Sequence, residues 1–153
     1  MFKVILVPLD GSREGARAVD LAGEIAQKFA AQVLLLRVVP HVATTVAAAA
    51  GQEAASAALA IESAEEQERL DKAAAREYLA GHQKGLQDLG VRVSVEVEVG
   101  DPARTITQIA RQEKADLIVM TTRGRTGLRR TLLGSVADDV VRAAIAPVLV
   151  VRR

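Results

Sequence analysis

Five short runs of aliphatic residues alternate with longer amphipathic stretches along this chain. They predict five β-strands, at Lys3–Pro8, Gln32–Val39, Val91–Val99, Asp116–Met120 and Pro147–Val151. Four of the runs are almost continuously Val, Ile and Leu, which is typical of strands buried on both faces of a parallel sheet. The third run alternates valine with polar residues, so one of its faces is expected to meet solvent, as in an edge strand.

Helical periodicity fills the stretches between these runs. The predicted caps are Ser12 before the first helix, with Glu14 in its first turn, and Asp101 before the third, because short polar side chains accept hydrogen bonds from the free N–H groups of a helix start. Gly90 is predicted to end the second helix, since glycine readily adopts the left-handed conformation found there. The helices are predicted over Ser12–Ala31 and Ala64–Leu89, from Pro102 onward, and over about Ser135–Ala144.

The alternation of strands and helices predicts right-handed βαβ crossovers and an α/β fold. We expect a three-layer sandwich around a five-stranded parallel sheet of order 3-2-1-4-5, with the first strand central and the third at an edge. Residues 1–153 carry no recognisable interdomain linker and are expected to form a single domain. The segment His41–Ser63, rich in Ala, Thr, Gly, Gln and Ser, is predicted to be a loop or a variable insertion on the second crossover.

The amino-acid composition argues against several classes of function. The chain has 153 residues, a formal net charge of +1 and 2% aromatic residues, so it lacks the broad basic surface of a nucleic-acid coat and the stacking platforms of single-strand binders. Without cysteine there is no disulfide, thiol nucleophile or Cys-ligated metal. Neither a signal peptide nor a bilayer-spanning run is recognisable. We therefore expect a cytoplasmic protein without membrane or nucleic-acid partners.

Two polar loops follow neighbouring strands of the predicted sheet, at the edge where ligands bind in such folds. In the first, the Asp10 carboxylate is suited to accept hydrogen bonds from ribose hydroxyls or to hold a metal; capping the first helix with Ser12 is the alternative. The second loop, Thr121–Ser135, holds four arginines and no acid. With its glycines and the following helix start it predicts a phosphate cradle, unless the arginines form a solvated face. These residues are Arg123, Arg125, Arg129, Arg130, Gly124, Gly127 and Gly134.

The chain contains neither G-x-x-x-x-G-K-[ST] nor a G-x-G-x-x-G after its first strand, but its segments match another pattern. These segments are the opening Val4–Ser12, the turn Gly100–Ala103, and the run from Ala115 through Ser135 with the last strand Pro147–Val151. On these residues the whole chain resembles the universal stress proteins. The resemblance implies a Rossmann-like sandwich of the adenine nucleotide alpha hydrolase-like kind.

The ATP-binding branch of that family carries the pattern G-x2-G-x9-G-[ST]. Gly124 matches its second glycine and Gly134-Ser135 its end, whereas Thr121 stands in place of its first glycine. The resemblance implies that Asp10 meets adenosine and that Val38 offers backbone contacts to adenine. A divalent ion such as Mg²⁺ is expected to neutralise the ATP phosphates. The nucleotide contacts that it implies are Pro8, Leu9, Asp10, Val38, Met120, Thr121, Arg123, Gly124, Arg125, Gly134, Ser135 and Val136.

The last strand predicts an interface between copies of the chain. Pro147–Val151 is strongly apolar and lies at an edge of the predicted sheet, which favours pairing over exposure. The resemblance implies a homodimer paired through this strand across a two-fold axis. Protection of the edge by Arg152, Arg153 and a nearby helix is the alternative.

No catalytic group stands out in the sequence. His82 lies in the long polar helix and is predicted to be a surface residue, and His41 is predicted to be a loop residue after the second strand. Asp138 and Asp139 are expected to be solvated or to pair with Arg142. The sequence therefore favours a nucleotide-binding regulatory protein of stress response, with an unidentified protein partner. A homodimeric scaffold without nucleotide and a slow ATP hydrolase are the alternatives.

Overall fold

The computed structural model of the chain describes residues 1–41, 54–122, 134–143 and 145–152. Within these ranges five strands and four helices alternate along the chain. They are β1 (Val4–Leu9), α1 (Gly15–Phe29), β2 (Gln32–Val39), α2 (Ala54–Asp88), β3 (Arg92–Val99), α3 (Pro102–Gln112), β4 (Leu117–Thr121), α4 (Ser135–Ala143) and β5 (Val148–Val151). Each strand lies where an aliphatic run predicted it, and its ends differ from the prediction by no more than one residue.

The strands form a parallel sheet in the order β3-β2-β1-β4-β5, which confirms the predicted order. β1 is central, because Leu6 lies opposite Leu34 of β2 on one side and opposite Ile118 of β4 on the other. The chain therefore leaves β1 in one direction to form β2 and returns to its other side to form β4. In open sheets of this kind a crevice for ligands lies at this reversal, beyond the carboxyl ends of the strands.

Apolar side chains form one layer on each face of the sheet. On the face covered by α1 and α2, which we call the α1/α2 face, Val7 and Leu35 are fully buried. On the face covered by α3 and α4, the α3/α4 face, Leu36 and Ile118 are fully buried. Successive residues of a strand point to opposite faces, so the two covered faces explain why these strands are aliphatic at nearly every position.

The starts of two helices differ from the predictions. α1 begins at Gly15 and its N-cap residue, Glu14, makes no side-chain capping bond, so Ser12 is not its cap. α2 begins at Ala54, well before the predicted Ala64. Alanine is the strongest helix former, and residues 54–63 form helix although residues 58–63 have no buried side chain, so the prediction of a loop is wrong for residues 54–63. Residues 42–53 of the predicted insertion lie outside the described residues.

The remaining helix ends and the edge strand follow the sequence more closely. Asp101 accepts the N–H of Arg104 at 2.9 Å at the start of α3, as predicted, and Gly90 after α2 has a φ of +78°. β3 lies at the predicted edge, but Val95 is 36% exposed while Glu96 is half-buried. The strict alternation of β3 therefore does not give one exposed and one buried face. As an edge strand, β3 has a neighbouring strand on one side only, and solvent reaches residues of both faces from the other side. No helix in the described ranges is long and apolar enough to cross a bilayer.

A carboxylate ties the start of β1 to the start of β4. Asp116 Oδ2 accepts hydrogen bonds from the backbone N–H groups of Lys3 at 2.7 Å and of Val4 at 2.9 Å. The Asp116 N–H in turn donates to the Val4 carbonyl at 2.9 Å. The bond from Val4, followed by that from Lys3, holds the pKa of Asp116 below its ordinary value, because both bonds favour the charged carboxylate.

Protonation of Asp116 should loosen this junction in acid. Because its pKa is lowered by folding, its contribution to stability is complete above the unfolded value of about 4 and is lost as the pH falls through the lower folded value. We expect Asp116→Asn to flatten the decline of the free energy of unfolding below about pH 4, as measured by denaturant titration at several pH values. The exposed Asp139 of α4 is the control position, and an equal flattening by Asp139→Asn would contradict the assignment.

Candidate functional site

The predicted site lies at the carboxyl edge of the sheet, where the central strand and both its neighbours end. β1 ends at Leu9, opposite Arg37 near the end of β2, and β4 ends at Thr121, opposite Val151 of β5. Because these strands are parallel, the segments that follow β1, β2 and β4 all leave the sheet at this edge. The turn after β1 and the described ends of the second loop, Thr121–Thr122 and Gly134–Ser135, therefore belong to this part of the fold.

The turn after β1 is closed by one of its own side chains. Asp10 Oδ1 accepts the backbone N–H of Ser12 at 2.9 Å. Gly11 between them has a φ of +83°, a left-handed conformation that glycine adopts without strain. The Ser12 carbonyl accepts the N–H of Gly15 at 3.3 Å, so a turn separates Ser12 from the start of α1. The turn holds Asp10 half-buried at the sheet edge.

Three of the predicted contact residues converge in the apolar layer of the α3/α4 face. Val38 of β2 is 6% exposed and Met120 of β4 is 5% exposed. Both belong to one packed cluster, and Val136 of α4 packs against it. Since β1 lies between β2 and β4, this cluster underlies the ends of three adjacent strands. The cluster forms a closed aliphatic layer beneath the strand end that leads into the turn with Asp10.

The first turn of α4 borders that cluster. Gly134 is half-buried and Ser135 exposed, and the N–H of Asp138 donates to the Gly134 carbonyl at 2.9 Å as the helix begins. The first N–H groups of a helix lack intrahelical acceptors and, with the positive end of the helix dipole, suit an anion. The Asp138 carboxylate accepts a bond from Arg142 Nε at 2.7 Å, which confirms the predicted pair.

The other predicted contacts differ in what they present to this edge. Pro8 is half-buried, while the Leu9 side chain is 5% exposed and packs in the layer of the opposite, α1/α2 face. Leu9 therefore presents only its backbone at the site. Thr121 has an extended conformation within β4, so its position does not require the backbone freedom of the glycine that it replaces. Arg123, Gly124, Gly127, Arg125, Arg129 and Arg130 lie outside the described residues.

Two residues near the turn were not singled out in the sequence. Arg37 Nη1 donates to the Leu9 carbonyl at 3.3 Å, and the Tyr78 hydroxyl donates to the Ser12 carbonyl at 2.9 Å. Both line a cavity of about 340 Å³ between the end of β2 and α2, which also includes Gly11. A charged residue within an otherwise aliphatic strand and the single tyrosine of the chain were the available signals, but neither indicates which carbonyl it contacts.

The ionisation of Tyr78 reflects this position. Burial raises the pKa of its phenol, the nearby negative charge of Asp10 raises it further, and the positive charge of Arg37 acts in the opposite direction. The hydroxyl is therefore protonated throughout the neutral range and is available as a donor to the Ser12 carbonyl. The three side chains interact electrostatically across the turn.

The histidines have structural contacts. His41 Nδ1 lies 3.2 Å from Glu68 Oε2 of α2. His82 is half-buried and its ring meets that of Tyr78 edge-on, with 4.8 Å between the centroids, so the predicted surface histidine is only partly exposed. Burial lowers the pKa of His82. Among the described residues, no group of three or more His, Asp or Glu side chains is arranged to hold a metal ion.

The doubly wound sheet and the polar turn beside its reversal place this chain among the α/β ligand-binding folds. Residues 1–152 match the family described as the universal stress protein family. The chain is 39% identical over 153 residues to universal stress protein MJ0531 of Methanocaldococcus jannaschii, covering all of this chain and 84% of that protein. The chain belongs to the universal stress protein family.

Solved structures support the same assignment. The structure of protein MJ0577, from the same archaeon, superposes with a TM-score of 0.80 at 30% identity, covering 100% of this chain and 97% of that one. A universal stress protein solved in complex with cAMP superposes with a TM-score of 0.71 at 24% identity, over 99% and 97% of the two chains. At that lower identity the likeness concerns the fold alone.

Proposed function

We propose that this protein binds ATP together with Mg²⁺ at the carboxyl edge of β1 and β4 and acts as a nucleotide-dependent regulator in stress response. The observation that carries the proposal is the convergence of three unlike surfaces at this edge. They are the aliphatic cluster containing Val38 and Met120, the turn containing Asp10, and the start of α4 at Ser135. These surfaces suit a base, a ribose and a phosphate chain, respectively.

Each of the three surfaces would bind a different part of the nucleotide. An adenine ring would lie on aliphatic side chains and bind the backbone near Val38, since the cluster there contains no aromatic residue among those described. The Asp10 carboxylate would accept hydrogen bonds from adenosine. The N–H groups at the start of α4 would bind phosphate oxygens, and Mg²⁺ would neutralise charge on the phosphates. Gly124 and the adjacent arginines Arg123 and Arg125 would complete the phosphate contacts.

The hydrogen bonds of the two carboxylates at this edge favour ATP binding over rapid ATP hydrolysis. Within the described part of this edge, the carboxylate of Asp10 closes the turn and that of Asp138 pairs with Arg142. A general base needs to be positioned against an attacking water, and these bonds hold both carboxylates in other geometries. In the proposed mechanism ATP binding changes the surface at the carboxyl edge of the sheet, and a protein partner then recognises the changed surface.

Equilibrium calorimetry with ATP and Mg²⁺ tests the proposal directly. We expect saturable binding of one ATP per chain, weakened by Gly124→Ala. Because a protein of the same fold was solved with cAMP, competition with cAMP and AMP shows which parts of the nucleotide matter. No measurable heat at millimolar ATP would refute the function, and phosphate release above that of a heat-denatured sample would favour a hydrolase.

One observation favours a second candidate, a scaffold that does not bind nucleotide. Thr121 replaces the first glycine of the family's ATP-binding pattern, and its side chain occupies space at the end of β4 next to Met120. In a scaffold the same edge would carry no nucleotide in the purified protein. Adenine absorbance released on heat denaturation favours the ATP-binding function, whereas absence of both released adenine and binding to added ATP favours the scaffold.

We also propose that two copies of the chain pair through their last strands. β5 lies at the end of the sheet order and pairs with β4 on one side, and Leu149 is 37% exposed. An apolar edge strand of this kind is an association site unless it is covered. We expect light scattering at micromolar concentration to give a dimer mass for the wild type and a monomer mass for Leu149→Lys. A monomeric wild type would exclude the dimer.

A further inference from the structure

The turn after β1 is held from the side of the sheet opposite to the proposed nucleotide site. Its first carbonyl, that of Leu9, accepts Arg37 Nη1, and its last, that of Ser12, accepts the Tyr78 hydroxyl. Asp10 bonds across the turn between these two points. The proposed nucleotide surfaces lie on the α3/α4 face, whereas Arg37 and Tyr78 lie on the α1/α2 face. Both ends of the turn are thus hydrogen-bonded to side chains on the face opposite to the proposed nucleotide site.

Packing fixes the side chain of Tyr78 in this position. The next residue of α2, Leu79, is fully buried against the sheet, and the Tyr78 ring packs edge-on against His82. The hydroxyl reaches Ser12 past Gly15, the first residue of α1. A Cβ atom at Gly15 would lie 2.9 Å from the Tyr78 hydroxyl and equally 2.9 Å from Leu9 Cδ2, so this close packing depends on the absence of a side chain there.

We propose that Tyr78 and Arg37 are positioning residues for nucleotide binding, which hold the β1–α1 turn in the conformation that presents Asp10 to the ligand. The inference rests on the proposed ATP-binding function and adds residues that do not touch the nucleotide. It also connects α2 to the site. The Tyr78 hydroxyl joins α2, on the α1/α2 face, to a turn whose proposed ligand binds on the α3/α4 face. By linkage, a nucleotide that favours the ordered turn must equally strengthen the contact with α2.

Tyr78→Phe tests the proposal with the loss of a single oxygen atom. We expect ATP affinity to fall about fivefold, the effect of one net hydrogen bond, with the denaturation midpoint shifted no more than in the control. The control is Gln83→Met, since Gln83 Nε2 of the same helix donates to the Val93 carbonyl at 3.3 Å, away from the turn. Equal ATP affinities of wild type, Tyr78→Phe and Gln83→Met would overturn the proposal.

A local measurement separates this proposal from the proposed function. In nucleotide-free protein, the amides of Gly11 and Ser12 should exchange with solvent several-fold faster in Tyr78→Phe and in Arg37→Met than in Gln83→Met. Unchanged exchange at these amides overturns the positioning role even if the wild type binds ATP. If the wild type binds no nucleotide, the ATP-binding function fails, while faster exchange in the two variants still supports the hold on the turn.

The absorbance of Tyr78 gives a further readout, because the chain has one tyrosine and no tryptophan. Alkaline titration of the wild type should show a pKa above the ordinary tyrosine value, and bound ATP should shift it. Gly15→Ala should displace the hydroxyl together with the Leu9 side chain and lower ATP affinity at least to the level of Tyr78→Phe without changing Tyr78 itself. A tyrosine titration that is unaffected by saturating ATP would contradict the coupling.

Discussion

Replacing Leu79 with alanine is expected to lower the free energy of unfolding by about 2–5 kcal/mol, the range found when a large aliphatic side chain is removed from a closed core. Leu79 is fully buried and joins α2 to the cluster of the α1/α2 face. The loss of stability has two causes. The removed side-chain atoms no longer gain free energy from leaving water, and the cavity that they leave is filled only in part by the surrounding β-sheet. For a chain of this length each kcal/mol corresponds to about 2–4 °C in Tm, so calorimetric melting detects it readily.

Leu70 provides the matched control on the same helix. It is 49% exposed, so Leu70→Ala removes little buried surface and should leave the free energy of unfolding within about 0.5 kcal/mol of the wild type. Similar losses for both substitutions would mean that α2 is stabilised by helix formation alone and does not depend on its contact with the sheet.

Asp10→Ala should weaken ATP binding about 10- to 100-fold, because the substitution removes a charged acceptor whose hydrogen bonds are worth more than those of neutral groups. Two functions are lost together: the bond that closes the turn on the Ser12 N–H and the proposed bond to adenosine. Asp10→Asn separates them, since an amide oxygen can still accept the Ser12 N–H while the negative charge is gone. We expect an intermediate affinity for Asp10→Asn, measured by the same calorimetric titration.

The exposed Asp20 of α1 controls for the loss of one negative charge near the start of the chain. Asp20→Ala should leave ATP affinity unchanged. Full affinity in Asp10→Ala would remove Asp10 from the site, and equal affinities for Asp10→Ala and Asp10→Asn would show that the charge, and not the turn, governs binding.

Most of the fold could be predicted because the burial of a strand determines which of its positions are aliphatic. The run Gln32–Val39 is aliphatic at both odd and even positions, and only a strand covered on both faces requires that. The start of α2 could not be placed in the same way, because residues 54–63 form helix through alanine propensity while Leu59 and Ile61 stay exposed. An apolar stripe is a signal of packing, so a helical segment that is not packed does not show one.

The site was predictable as far as strand ends define it. The contacts Val38, Met120 and Val136 came from the family resemblance, and the sheet order explains why Val38 of β2 and Met120 of β4 lie on either side of β1. Arg37 and Tyr78 did not follow, because their bonds to the turn join residues that are 28 and 66 positions apart in the chain. Those bonds depend on the orientation of side chains between a strand and a helix, which no local pattern records.

The length of α2 has a consequence for how the protein responds to salt. Its later part is held by buried Ala75, Leu79 and Leu86, and burial of apolar surface is not weakened by ionic screening. Between residues 58 and 73 the one buried side chain is Ala64. This part of the helix carries the exposed ion pair of Arg69 with Glu66 and the half-buried pair of Lys72 with Glu68, and ion pairs near the surface are screened by salt. Rising ionic strength should therefore fray this helix from its beginning toward Tyr78, while the end that faces the sheet keeps its structure.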